Sequence, residues 1–143
     1  MRKSVIALLF AAVLSAQSIE YSAGRKTWLL KTASNAYALG VNQRGELQNL
    51  YWGGPLWRFD DIHAAQAGPE WSSFDPSQSQ TNEEFLGWGG TRYLEPAVKI
   101  TRANGVRDLV LHYVSHKIDG NQLDIVMKDI NDDFAATDAV LVV

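Results

Sequence analysis

Leu109, Leu111 and Tyr113 alternate with Val110, His112, Val114 and His116 directly after the pair Asn104-Gly105. Asn-Gly is the strongest two-residue hairpin signal, because both positions accept positive φ. A period of two sends successive side chains to opposite faces of a strand. The chain therefore reads as a strand over Val98–Thr101, a hairpin turn, and a second strand from Asp108 to Ile118. Asp119-Gly120-Asn121 turns it once more, and Leu123, Ile125 and Met127 then alternate with Asp124, Val126 and Lys128. Upstream, Thr27–Thr32 reads as a first strand, with Tyr37, Leu39 and Val41 in a second. Asn42-Gln43-Arg44-Gly45 supplies turn residues before Leu47, Asn49 and Tyr51 in a third. No stretch carries a convincing helical period. The expected fold is all-β, an antiparallel β-sandwich, because antiparallel strands joined by short turns bury one face against a second layer.

The first residues stand outside that fold. Arg2 and Lys3 precede an almost wholly apolar run, Val5 to Val13, and small residues follow at Ser15, Ala16 and Ser18. This is the three-part pattern of a secretory signal peptide. Cleavage after Ser18 places small residues at both required positions. The apolar run is too short to cross a bilayer about 30 Å thick at ~1.5 Å per residue. The expectation is an N-terminal signal helix over 1–18, a single domain over 19–143, export, and no membrane span after cleavage. No cysteine is present, so an exported domain of this kind relies on packing or on partners. The net charge of -3 carries no basic stripe, which argues against nucleic acid.

The stretch from Gly53 to Glu95 is far longer than an ordinary connection of about 4 to 6 residues. It carries Trp57, Phe59, Trp71, Phe74, Phe85, Trp88 and Tyr93. Disordered linkers are poor in aromatics, so this loop packs on something or displays its rings. Trp57, Trp88 and Tyr93 suit folding the loop back onto the sheet. Trp71 and Phe74, beside Ser72-Ser73 and Asp75-Pro76, lie in its most turn-like part and suit display. A flat ring can stack on the apolar face of a sugar while a carboxylate takes its hydroxyls.

Catalytic patterns are missing. There is no Gly-x-Ser-x-Gly elbow, no phosphate loop and no thiol nucleophile. His112 and His116 on one strand would stand about 13 Å apart, too far to share an ion. Asp129, Asn131 and Asp133 have calcium-loop spacing, but Phe134 and Val140 occupy the places of the required Gly and Glu. No catalytic residue, metal ligand or cofactor is assigned.

Several stretches, in order, resemble the N-terminal β-sandwich domain of family-36 glycoside hydrolases, the α-galactosidases of bacteria and fungi. They are Ser34–Leu39, Gly45-Glu46-Leu47 and Leu50-Tyr51-Trp52-Gly53, then Ser73-Phe74-Asp75, Tyr93–Ala97, Leu111–Ile118 and Leu123–Asp129. The likeness covers about residues 27 to 134. Arg92 and Leu94 depart from the family's Asp and Arg around Tyr93, and Trp71 stands where an acidic residue is common. The tail from about Thr137 fits the family poorly, and the run Ala139–Val143 reads as a cut through a larger protein.

The resemblance implies hydrolysis of terminal α-galactosyl groups with retention. Both catalytic carboxylates would lie in a downstream barrel that is absent from this chain. The expected role is accessory: assembly, often as a homo-oligomer, and a part in the pocket for α-galactoside sugars. Trp71, Phe74 and Asp75 are the substrate-binding candidates. The alternatives are a free-standing galactoside-binding module and a non-functional gene fragment.

Overall fold

The computed structural model describes residues 17–56, 58–68, 82–89, 94–130 and 139–142. They form two antiparallel sheets. The first has four strands in sequence order: β1 (Ser18–Ser22), β2 (Thr27–Lys31), β3 (Ala36–Val41) and β4 (Leu47–Gly53). The second has three, β5 (Leu111–Asp119), β6 (Gln122–Asp129) and β7 (Ala139–Val142).

The sheets pack face to face. Trp28, Leu39, Val41 and Leu47 of the first meet Leu111, Leu123, Ile125 and Met127 of the second, with Leu109 beside them. All nine are buried, so the alternation read in the sequence is the alternation of this interface. The Tyr113 N–H also donates to the Gly45 carbonyl at 2.8 Å, which ties β5 to the β3–β4 turn. In that turn the Asn42 side chain accepts from the N–H groups of Arg44 and Glu46. Gly45 sits at φ 84°, a conformation open to glycine.

The opposite face of the first sheet is covered by the start of the long connection. Ile62 packs on Leu29, Ala36 and Ala38, and Leu56 and Phe59 join them. A single 3-10 turn, Phe59–Asp61, is held by Arg25. That side chain donates to the Ile62 carbonyl at 3.0 Å and to Asp60 at 2.6 Å, and lies 5.3 Å from the Phe59 ring centre.

Three differences from the sequence reading have physical causes. Ser18–Ser22 is a strand; its alternating Ile19 and Tyr21 pack toward the core, but the stretch begins at the end of the expected leader. Most of that leader, 1–16, lies outside the described residues. Val98–Thr101 is no strand. Val98 and Ile100 do turn inward onto the core, but Val98 makes only an isolated bridge to Gly87. The Leu109 N–H is given to the Trp88 carbonyl at 2.7 Å, so the stretch 86–88 occupies the ladder positions a hairpin would need. The turn at Asn104-Gly105 does form, with the Arg102 N–H donating to the Val106 carbonyl at 2.9 Å.

The third difference is a bulge. Tyr113 opposes Met127 and Ser115 opposes Val126, leaving Val114 as an extra residue. An inserted residue reverses the alternation after it. His116 therefore shares the inner face with Tyr113, and His112, across from Lys128, points the other way. The two histidines do not share a face.

Candidate functional site

The long connection leaves and rejoins the first sheet at the same strand. On the way out, the Gln48 side chain donates to the Gln66 carbonyl at 2.9 Å and accepts from the Gln66 N–H at 3.1 Å. Gln43 accepts from the Ala67 N–H at 3.1 Å. On the way back, the Asn49 N–H donates to the Asn82 carbonyl and the Glu84 N–H to the Leu47 carbonyl, both at 2.9 Å. Gln48 and Glu83 form an antiparallel bridge. Residues 82–84 thus extend the β4 edge of the sheet.

Between the two anchor points lies an open cavity of about 510 Å³, lined by Gln48, Asn49, His63, Gln66, Gly68 and Asn82 among others. Gly68 and Asn82, which flank in sequence the stretch 69–81 with Trp71, Phe74 and Asp75, both line it. Those three candidates lie outside the described residues, as do Trp57 and Tyr93.

The described aromatics of the connection divide differently from the sequence reading. Phe59 and Phe85 are the rings that pack on the sheets, on opposite faces of the first. Trp88 is 44% exposed and does not fold the loop down. A smaller cavity of about 300 Å³ lies beside it, lined by Lys99, Ile100, Thr101 and Arg107.

Next to the returning strand stands a polar cluster that the sequence reading missed. The Asn49 amide donates to Glu84 Oε2 at 3.1 Å. Burial pushes the Tyr37 phenol well above its usual range, helped by its hydrogen bond to Glu84 and by that carboxylate's charge; a hydrogen bond with Asn49 acts the other way. Trp52, opposite Tyr37 across the strand pair, is 74% exposed. The sequence signal was present in the Tyr-Trp-Gly stretch, but not the bulge that aligns it.

Chemically the cluster offers an apolar ring, a phenol, an amide and a carboxylate. Among the described residues no group of three His, Asp or Glu could hold a metal ion.

Two solved structures share the fold. One is the galactosidase domain of alpha-galactosidase-sucrose kinase, AgaSK, with 23% identity and a TM-score of 0.63 over 80% of this chain. The other is the GH36 alpha-galactosidase AgaB from Geobacillus stearothermophilus, with 19% identity and a TM-score of 0.62 over 78%. This chain spans only 20% and 18% of those two chains. No curated protein matches it. The model of the glycosyl hydrolase family 36 N-terminal domain matches residues 45–139, from the β3–β4 turn to the start of β7. With the two-sheet sandwich and the doubly anchored loop already in place, that match over most of the chain shows that it belongs to the family of glycosyl hydrolase family 36 N-terminal domains.

Proposed function

We propose that this chain is the accessory N-terminal domain of an exported α-galactosidase, serving a catalytic barrel carried on further polypeptide. It supports and orients that barrel. Through the stretch 69–81 it also contributes Trp71, Phe74 and Asp75 to the sugar pocket, by stacking and by accepting hydroxyl hydrogen bonds. The observation that carries the reading is the double anchorage on β4. Gln66 and Asn82 are both fixed there, so the stretch between them springs from a rigid base, as a binding loop requires. The Arg2-Lys3 start and the apolar run after it support export. The complete protein would work as a homo-oligomer, with α-galactosides as substrates.

The test joins residues 19–143 to an α-galactosidase barrel lacking its own N-terminal domain and measures turnover of an aryl α-galactoside. The fusion is expected to exceed the barrel alone. Trp71→Ala should raise KM about fivefold, the factor carried by ~1 kcal/mol of aromatic contact, with little change in melting temperature. An unchanged KM on several galactosides would refute the lining role.

A further inference from the structure

Cross-strand partners stand on the same face of a sheet. Ile19 opposes Leu30, Leu30 opposes Tyr37, and Tyr37 opposes Trp52, so these four form a row across the inner face. The next row, Tyr21, Trp28, Leu39 and Asn49, contains the buried Trp28 and Leu39 that meet the second sheet. The first row extends past that cover, and Trp52 at its end is 74% exposed.

Asn49 and Trp52 are three positions apart, a spacing that puts side chains on opposite faces of a regular strand. Here Ala38 opposes Tyr51 and Leu39 opposes Asn49, which makes Leu50 an extra residue. The bulge brings Asn49 and Trp52 to one face, Trp52 directly across from Tyr37 and Asn49 across from Leu39. The Tyr37 ring meets the indole edge to face, with centres 5.1 Å apart and planes at 74°, and so braces it. The Asn49 amide donates to Glu84 Oε2 at 3.1 Å, and the Glu84 N–H is held by Leu47; the charge of that carboxylate also acts on the Tyr37 phenol. A carboxylate has about four acceptor positions, and the Asn49 bond leaves others available.

An apolar partner surface would have to bury that carboxylate beside the ring, at a desolvation cost. An anionic ligand would be repelled by it. A neutral pyranoside offers both complements, a face of C–H groups for the indole and hydroxyls for the carboxylate. We propose that Trp52, Glu84 and Asn49 form a binding site for a neutral pyranoside, separate from the stretch 69–81. The choice of a sugar rests on the α-galactosidase reading above.

The experiment is an NMR titration of the purified chain with methyl α-D-galactopyranoside, following the indole N–H signals, with the open-chain polyol mannitol as control. The Trp52 signal is expected to shift with the galactoside and not with mannitol. Trp52→Ala should weaken binding at least tenfold, Trp52→Phe less, and Glu84→Gln several-fold. Circular dichroism should stay unchanged, since Trp52 contributes little buried area. Undiminished binding by Trp52→Ala overturns the site. If Trp71→Ala abolishes that same binding, the accessory reading survives and the sugar belongs to the loop. No binding by the unaltered chain, or equal shifts with mannitol, also overturns the site; the barrel-fusion assay judges the accessory reading independently.

Discussion

The Tyr113 hydroxyl lies 2.8 Å from Nδ1 of His116, three residues further along the same strand. An unbroken strand would turn the two side chains to opposite faces. The extra residue Val114, 55% exposed, is what unites them. It also sets the His116 ring against Tyr21 and Trp28, with centres 4.3 and 5.0 Å away.

Deleting Val114 would leave a regular strand in which His116 stands two residues after Tyr113, so both keep the inner face and every partner across the ladder is unchanged. We expect the deletion variant still to unfold cooperatively, at a cost within the ~0.5–3 kcal/mol of an ordinary single change, and Val114→Thr to shift the urea midpoint by no more than the ~0.5 kcal/mol of a surface change. A deletion variant with no cooperative transition would show that the bulge itself, and not the pairing across it, is what the fold needs.

The Asp129 side chain is fully buried. It pairs with Arg102 and accepts from the Val110 N–H at 3.2 Å, fastening the end of β6 to the long connection. Removing one partner of a buried pair strands charge in a poor solvent. Asp129→Ala should cost about 3–5 kcal/mol in equilibrium denaturation. Asp129→Leu combined with Arg102→Met should recover much of that loss, as the apolar replacement of both partners removes the desolvation penalty.

Gly87 leaves no room for a side chain. A Cβ there would fall 2.3 Å from the Leu109 carbonyl oxygen, and backbone cannot step aside cheaply. Gly87→Ala should therefore destabilise by about 1–3 kcal/mol, the range of overpacking. Gly24→Ala, where nothing lies within 4 Å, should be much milder. Equal melting temperatures for the two variants would contradict this packing.

Tyr37 and Tyr113 both hold their protons more tightly than free tyrosine. Burial is the larger cause in each, followed by Glu84 for Tyr37 and by Tyr21 for Tyr113. The unfolded chain releases phenol protons near pH ~10, while the folded chain retains these two. Above that pH the native state binds more protons than the unfolded state, so stability falls as pH rises. Denaturation curves between about pH 9 and 11 should show this loss, and Tyr37→Phe should flatten it. An identical slope in the variant would deny Tyr37 its part.

The sandwich itself was legible because Leu123, Ile125 and Met127 alternate without interruption and end at turn residues. Both bulges were invisible, since neither Leu50 nor Val114 differs in type from a regular strand residue. Only the ladder across from each shows which residue is extra. Val98 and Ile100 misled for a related reason. Inward alternation reports burial, and burial here is achieved without ladder bonds. The Tyr37–Asn49–Glu84 cluster joins residues from three separate stretches, a relation that local pattern cannot carry. Trp71, Phe74 and Asp75 stand out by the composition of their stretch alone, and they lie outside the described residues.

The clasp between Tyr113 and Gly45 bears on how the molecule assembles. Each sheet consists of neighbours in sequence and can zip locally, but this bond joins partners separated by the whole excursion from Gly54 to Val110. Closing so wide a span costs chain entropy before any contact repays it. The rate at which this protein reaches its native state is then governed by the docking of one finished sheet on another. Variants that loosen the clasp should slow that last step while leaving the early hairpins as quick as before, a separation that stopped-flow refolding can resolve.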